Sequence, residues 1–257
     1  MTHVHPDHYG LAGRIVSDSD AWLGMHPADA AEIHRQYEQP SVLLEETSTW
    51  LKRAGTPTSE IAELRDASLA LLELVHITHP DIELVHLDRA PVPGWELQML
   101  HTPGHTPGHL CAYEPNAKVL LTGDHVLPRI SPNISAYRSA GQNPLAAYLS
   151  SLSLLERYAD VSALPAHEWR FDGLTERILA LLEHHELRLD ETEKVIATGR
   201  RTTWEIARAL TWSRDWDEPA FLRRAALGET YAHLLLLESR GRTSRTKDVP
   251  ELWEPRR

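Results

Sequence analysis

The sequence predicts a mixed α/β fold followed by a helical C-terminal region, and three patterns support this class. Apolar residues recur at helical spacing within residues 27–79. Short strand-like runs lie between residues 82 and 125, and the helical pattern returns from Leu174 onward. With 257 residues, 42% of them apolar, the chain can form one large domain or one domain and a half.

The first helical stretch is expected over residues 27–55, with a break near Pro40. A second starts at Thr56-Pro57, a typical N-cap and first-turn pair, and is predicted to reach about His79. Together they form a helical insert at about residues 27–80. Such an insert either packs on a sheet or roofs a pocket, and both interpretations stay open.

Four strands and several more helices complete the prediction. The strands are expected at residues 83–87, 95–100, 110–113 and 119–122, the last two joined as a hairpin by the turn at residues 114–118. The helices are expected at residues 143–158, 174–198, 202–210 and 219–239. Thr202 and Glu205 have the spacing of a capping box, Gly241 fits a helix end, and a short basic turn follows it.

The start of the chain reads His3-x-His5-x-Asp7-His8, four candidate metal ligands within six residues. Imidazole nitrogens and carboxylate oxygens are the usual donors for zinc and its first-row neighbours. His3 and His5 would point the same way from an extended segment, so one loop could supply two adjacent ions. A purification tag is the simpler alternative, but tags are histidine runs without interleaved aspartate.

Three later segments also end in residues of ligand type. They are His101-Thr-Pro-Gly-His105-Thr-Pro-Gly-His109, the apolar run ending in Thr122-Gly-Asp124, and Leu164-Pro-Ala-His167. Taken singly, each is equally well an ordinary turn, because Gly, Pro and Asp are common there. His101 and His109 are expected to have structural or supporting roles and not to be ligands.

In this order, the four segments resemble the metallo-β-lactamase superfamily. The resemblance implies an αββα sandwich over residues 1–173 that binds two divalent ions. It implies that the first ion is held by His3, His5 and His105, and the second by Asp7, His8 and His167, with Asp124 bridging the two. Zinc is the default for a histidine-rich site, although Mn²⁺ and Fe²⁺ tolerate the same ligands.

The resemblance also implies a reaction. Two adjacent ions lower the pKa of a bridging water, which then acts as a hydroxide nucleophile. Asp7 would orient this nucleophile and pass a proton to the leaving group. A serine or cysteine nucleophile is not needed, and Cys111 is expected to be a small buried residue.

The sequence departs from the superfamily before the first motif. Several strands precede that motif in the family, whereas only Met1 and Thr2 precede it here. The expectation is therefore an N-terminally truncated sandwich with open sheet edges. Ligands on a frayed N-terminus would bind metal poorly.

The C-terminal segment, residues 174–257, resembles a small winged-helix unit. Such a tail resembles that of the β-lactamase-like subgroup whose characterised animal members cleave single-stranded RNA, a subgroup also similar to glyoxalase II. A domain that packs on the hydrolase part or mediates dimerisation is the preferred alternative. The net charge is −14 over residues 1–194 and +3 over residues 195–257, so nucleic acid stays open as a partner of the tail only.

The leading functional prediction is a dinuclear metal hydrolase of a small-molecule ester or thioester. A metal-dependent endoribonuclease acting on single-stranded RNA is the closest rival, and an inactive fragment acting as a binding or regulatory module is the alternative from another class. Arg129, Ser131 and Asn133, in the loop after Asp124, are candidate substrate contacts, with a rigid loop of ordinary turn residues as the equal alternative.

The remaining expectations concern location and assembly. One cysteine fits a reducing cytosol, so the chain is predicted to be cytoplasmic. No apolar run approaches the length of a membrane span, which predicts no membrane partner. A homodimer is left open.

Overall fold

The computed structural model describes residues 1–67, 69–136, 143–216 and 219–256. They form two compact units. The first comprises Met1–Pro40, Ala70–Pro132 and Ala146–Leu182, and the second comprises Ser41–Leu69, Asn133–Leu145 and Glu183–Arg257. All seven predicted metal ligands belong to the first unit.

The secondary structure alternates as expected from the sequence patterns. The helices are α1 (Pro6–Tyr9), α2 (Ala12–Ser17), α3 (Pro27–Ile33), α4 (Pro40–Arg53), α5 (Thr58–Asp66), α6 (Leu69–Leu72), α7 (Pro144–Leu155), α8 (Leu174–Ala197), α9 (Thr203–Ala209) and α10 (Ala220–Ser239). The strands are β1 (Gly24–Met25), β2 (Ile82–Glu83), β3 (Gln98–His101), β4 (Leu110–Glu114), β5 (Val119–Gly123), β6 (Ser162–Pro165), β7 (Thr243–Arg245) and β8 (Trp253–Pro255).

A four-stranded sheet in the order β3-β4-β5-β6 is the frame of the first unit. β3, β4 and β5 pair antiparallel, and the turn between β4 and β5 confirms the predicted hairpin. β5 and β6 pair parallel, so their C-terminal ends lie at the same edge of the sheet. Asp124 directly follows β5, and His167 comes two residues after β6, which brings both side chains to that edge.

A second, smaller sheet pairs β1 with β2 in parallel. Beside it, Val4, Tyr9, Met25, Ile33 and Tyr37 belong to a buried apolar cluster. Because Val4 lies between two histidines, this cluster holds the first ligand segment in place. The α/β fold class is confirmed, with mixed sheets in the first unit and a predominantly helical C-terminal region.

The helix predicted to run from Thr56 to about His79 is shorter than expected. α5 begins after Pro57 and ends at Asp66, α6 covers one turn, and Ser68 lies outside the described residues. The backbone after α6 does not continue the helix and instead forms hydrogen bonds with Tyr9 and Gly10, which follow the candidate ligands of residues 3–8 in sequence. Its His76 N–H donates to Gly10 O at 2.7 Å, and the Thr78 N–H donates to the Tyr9 hydroxyl oxygen at 2.8 Å.

The second unit contains α9 and α10, most of α4 and α8, and the β7–β8 hairpin. The capping box is confirmed, since the Thr202 hydroxyl accepts from the Glu205 N–H while the Glu205 carboxylate accepts from the Thr202 N–H. Gly241 ends α10 with a φ of 70°. No helix in the described part of the chain combines the length and apolar character needed to cross a membrane.

The two units divide the chain differently from the predicted domains. The second unit takes in residues 41–69, which the sequence assigned to an insert of the catalytic domain, and it resumes at Glu183, within α8. The predicted boundary between residues 173 and 174 and the winged-helix class of the tail stay predictions.

Candidate metal centre

Three histidines form one group of candidate ligands, as the sequence predicted. One ring nitrogen from each of His3, His5 and His105 lies within 4.8 Å of the other two. His3 Nε2 and His5 Nδ1 are 3.1 Å apart, and the ring centroids of His5 and His105 are separated by 4.5 Å. Three convergent imidazoles are a donor set that would hold a zinc-like ion.

The segment that carries His3 and His5 is tied down at several points. The Leu110 N–H donates to Thr2 O at 2.8 Å, and the Met1 ammonium donates to Gly24 O at 2.8 Å. The Tyr37 hydroxyl donates to Val4 O at 2.7 Å. In the described structure this segment is therefore fixed to β4, to β1 and to the π-helical residues His34–Glu38 after α3, and it is not the frayed terminus that the sequence suggested.

The second group consists of Asp7, His8, Asp124 and His167, whose ligand atoms again lie within 4.8 Å of one another. α1 begins at Pro6 and presents Asp7 and His8 in its single turn. The His167 Nε2 is 3.2 Å from Asp7 Oδ2 and 3.4 Å from Asp124 Oδ2.

Asp124 also reaches the first group. Its Oδ2 lies 3.5 Å from His105 Nε2, while its Oδ1 lies 3.3 Å from His8 Nε2. One carboxylate thus contacts histidines of both groups, which is the position that the bridging role requires. That role itself stays a prediction.

The electrostatics of the centre suit metal binding. Burial, together with neighbouring His105 and His5, holds the pKa of His3 well below its ordinary value, so this imidazole is neutral. Burial opposes ionisation of Asp124, but His8 and His105 outweigh it and lower the pKa of this carboxyl. Neutral imidazole and ionised carboxylate are the forms that bind metal ions.

Two buried polar atoms at the centre lack ordinary partners. His8 Nε2 and Asp124 Oδ1 face each other at 3.3 Å, but neither atom forms a hydrogen bond of acceptable geometry with a described residue, although their side chains are only 9% and 10% exposed. A buried polar atom without a partner costs about 1–3 kcal/mol. Coordination to a cation would satisfy both atoms, so the residues present fit a divalent metal centre.

The centre is open on one side. The side chains of Asp7 and His167 are 57% and 42% exposed, whereas those of His8, His105 and Asp124 are no more than 10% exposed. The centre is therefore accessible to solvent at Asp7 and His167.

His109 supports the centre and is not one of its ligand atoms. Its Nε2 accepts a hydrogen bond from the Asp124 N–H at 3.2 Å, so Nδ1 carries the ring proton and donates it to the Thr102 hydroxyl at 2.9 Å. His101 donates from Nε2 to Pro107 O and stacks on His26 at 4.0 Å. Both lie outside the two ligand groups, as the sequence suggested.

Cys111 is buried beneath the site and has no accessible thiolate. Burial raises the pKa of its thiol to about 12, against the effect of a contact with Thr102. This agrees with its expected role as a small core residue.

The three candidate substrate contacts differ in exposure and in the unit to which they belong. The Arg129 guanidinium is 73% exposed and donates to Glu168 Oε1 at 3.1 Å, and Ser131 is half-buried. Asn133 belongs to the second unit, where its amide donates to Ala225 O and to Glu229 Oε2. The substrate roles of the three residues stay predictions.

Sequence reasoning missed Asp29, a fully buried carboxylate on α3. It accepts hydrogen bonds from the Val4 N–H and from residues that follow His105. Only the three-dimensional fold brings Asp29 to these loops, and an aspartate in the first turn of a helix is common in any sequence. Glu168, which anchors the loop at residues 129–130, was missed for the same reason.

A family model described as "Metallo-beta-lactamase superfamily" matches residues 1–167. Among solved structures, a metallo-beta-lactamase family protein from Thermus thermophilus is 31% identical, with a TM-score of 0.83, covering 99% of this chain and 78% of that one.

Two curated relatives carry named activities. "Acyl-coenzyme A thioesterase MBLAC2" from Bos taurus is 25% identical over 222 residues, covering 83% of this chain and 70% of that protein. "Hydroxyacylglutathione hydrolase GloC" from Haemophilus influenzae is 30% identical over 124 residues, covering 48% and 47%. The chain spans about half the length of four of the curated relatives that it matches.

Proposed function

Because the chain belongs to the metallo-beta-lactamase superfamily, we propose that it is a dinuclear metal hydrolase of small-molecule thioesters. The proposal rests on the two adjacent groups of candidate ligands. Asp124 contacts histidines of both groups, and the side chains of Asp7 and His167 are exposed to solvent.

The ligand residues divide between two ions. His3, His5 and His105 would hold one, and Asp7, His8 and His167 the other, with Asp124 contacting both. When bound, such ions lower the pKa of a water and polarise an acyl carbonyl. Zinc is the first choice from the donor set, and Mn²⁺ and Fe²⁺ are acceptable to the same donors.

Asp7 is the residue of this chain best placed to move a proton. Its carboxylate is the most exposed of the ligand atoms, and Oδ2 is fixed 3.2 Å from His167 Nε2. A carboxylate there can accept a hydrogen bond from the attacking water and then protonate the leaving sulfur. The acyl C–S bond breaks, a C–O bond to the water oxygen forms, and the products are a carboxylic acid and a thiol.

Thioesters are the substrate class that the relatives favour. Relatives with named activities include an acyl-coenzyme A thioesterase and a hydroxyacylglutathione hydrolase, and both names denote thioester substrates. The aspartates at positions 7 and 124 also favour thioester, lactone or phosphodiester hydrolysis over β-lactam cleavage.

Ion pairing within the second unit supports a small molecule over RNA. Several tail arginines are engaged by acidic neighbours, with pairs Arg200–Glu254, Arg240–Glu186, Arg242–Asp190 and Arg245–Glu238. Paired arginines offer little net charge to a phosphate backbone. We therefore propose a small-molecule substrate and leave RNA as an outcome of the test.

The test measures metal content and hydrolysis together. Elemental analysis of chain purified without chelator is expected to find two ions, and an acyl-coenzyme A and an S-acylglutathione are then assayed beside single-stranded RNA. We expect chelator-sensitive release of thiol from at least one thioester. Release of RNA fragments alone would favour the endoribonuclease, and metal-free protein would overturn the hydrolase.

Variants separate the ligand set from its surroundings. His105→Ala is expected to lose metal and hydrolysis, while His101→Ala, in the same segment but outside the ligand groups, keeps both. Asp7→Asn is expected to lower kcat by about 100-fold or more, as for loss of a general acid–base group. Full activity of His105→Ala would overturn the assignment.

A further inference from the structure

We propose that Asp29 is a positioning residue that locks the two loops carrying His3, His5 and His105, and thereby sets the metal affinity of this three-histidine group. The inference rests on the metal centre and not on the choice of thioester as substrate. Asp29 is not among the ligand atoms of either group.

The Asp29 carboxylate joins two parts of the chain that are far apart in sequence. Oδ2 accepts the Val4 N–H at 3.0 Å and the Thr106 hydroxyl at 2.7 Å, and Oδ1 accepts the Gly108 N–H at 2.5 Å. Val4 lies between His3 and His5, and Thr106 directly follows His105. One buried carboxylate therefore fixes the spacing of all three histidines.

The position of Asp29 is itself rigid. It lies in the first turn of α3, whose N-cap His26 accepts a hydrogen bond from the Ala28 N–H, and Ile33 at the other end of the helix is fully buried. The approach to Gly108 is so close that a Cβ there would come within 2.5 Å of the Asp29 backbone nitrogen. The contact between Asp29 and Gly108 therefore needs both the aspartate and the glycine.

The charge of Asp29 also complements the group it supports. The three histidines carry no negative charge themselves, and Asp124, the carboxylate of the ligand set that contacts them, would be shared with the second group. Burial raises the pKa of Asp29 to about 6, so above that pH its carboxylate adds negative charge beside both loops of the first group without being one of the ligand atoms. Substitution should therefore affect the two metal positions unequally.

The test is metal binding to the full chain, measured by competition with a chromophoric chelator and by the visible spectrum of bound Co²⁺. Asparagine has the shape of aspartate, but in Asp29→Asn a side-chain NH₂ group would face N–H or O–H groups that donate to Asp29 in the wild type. The ion of the three-histidine group is expected to bind about 10–100-fold more weakly, while the other ion loses less affinity. The Co²⁺ band of the weakened position should appear only at higher metal concentration.

Two further variants grade the effect. Thr106→Val removes a single hydrogen bond to Asp29 and is expected to weaken the same ion less than Asp29→Asn does. Thr106→Ser retains the hydroxyl that donates to Asp29 and should therefore bind the ion with wild-type affinity. These variants keep the test usable if a substitution at Asp29 prevents folding.

Glu251→Gln is the control for a general loss of stability. Glu251 is also a buried acid, bonded to Arg53 and Tyr231 in the second unit. This variant should bind two ions like the wild type. Wild-type affinity for both ions in Asp29→Asn, or an equal loss in Glu251→Gln, would overturn the inference; a wild type that binds two ions but cleaves no thioester would overturn only the proposed function.

Discussion

The seven candidate ligands follow from the sequence through short motifs, whose order resembles the metallo-β-lactamase superfamily. His3, His5, Asp7 and His8 fall within one short segment, and the remaining ligands end short apolar runs. The supporting residues could not be found in this way. The carboxylate of Asp29 meets Thr106 across 77 positions of sequence, and no local pattern encodes such a contact.

The tautomer of His109 leads to a prediction about Asp124. In His109→Leu, the Asp124 N–H loses its acceptor and the Thr102 hydroxyl loses a donor in a buried setting. We expect a loss of about 1–3 kcal/mol in the free energy of unfolding, measured by urea denaturation, and weaker metal binding. His109→Gln retains an acceptor and should lose less; equal losses in both variants would contradict this role.

A buried histidine pair in the second unit predicts acid sensitivity. His185 Nδ1 and His233 Nε2 are 3.2 Å apart, and burial lowers the pKa of His185 to about 2 and of His233 to about 4, from 6.5. As the pH falls from 6.5 towards 4, the unfolded chain takes up protons that the folded chain does not. The free energy of unfolding should therefore fall, by up to about 1.4 kcal/mol per pH unit for each group.

The pair is tested by comparing pH profiles of stability. His185→Gln is expected to have a shallower decline between pH 6.5 and 4 than the wild type. His79→Gln, at an exposed histidine, serves as the control for the change of residue type. A variant profile parallel to that of the wild type would show that the pair does not contribute.

At the scale of elements, β4, β5 and the long helices were predictable, whereas β1 was not expected and the strand predicted at residues 83–87 is only the two-residue β2. β4, β5 and α8 begin at the predicted residues, because apolar periodicity is strong there. The helix predicted up to about His79 stops early because the following backbone bonds to Tyr9 and Gly10. A tertiary contact of this kind overrides local propensity.

The capping box of α9 gives a prediction for an element. Thr202→Ala removes the hydroxyl that accepts from the Glu205 N–H. We expect a loss of about 1 kcal/mol in the free energy of unfolding, with metal content unchanged because the site lies in the other unit. Thr198→Ala, at an exposed threonine, should change stability by no more than about 0.5 kcal/mol. Loss of metal from Thr202→Ala would contradict this separation.

At the scale of the whole molecule, the sequence predicted the fold class, whereas the membership of the two compact units depends on contacts between residues far apart in sequence. Residues 41–69 precede β2 in sequence, yet they belong to the unit that contains α9 and α10. Arg223 of α10, for example, donates to Glu60 and Glu63 of α5. Such long-range pairs determine a unit, and neither composition nor periodicity reveals them.

Metal binding should stabilise the first unit in particular. An ion that binds the folded chain at 1,000 times its Kd contributes about 4 kcal/mol to the free energy of unfolding. We expect chelation to speed hydrogen exchange at residues 1–8 and around His105 and Asp124, with little change in α9 and α10. Uniform acceleration over both units, or none, would contradict this expectation.

The concentration of ligands in one short segment has a kinetic consequence. Because His3, His5, Asp7 and His8 lie so close together, a single local opening of this segment withdraws two ligands from each group at once. The rate at which ions escape is then governed by how often residues 1–8 detach, and the Val4 amide, bonded to Asp29, reports that event. The residence time of a bound ion would then depend on the rate of local unfolding of residues 1–8 as well as on the strength of its coordination.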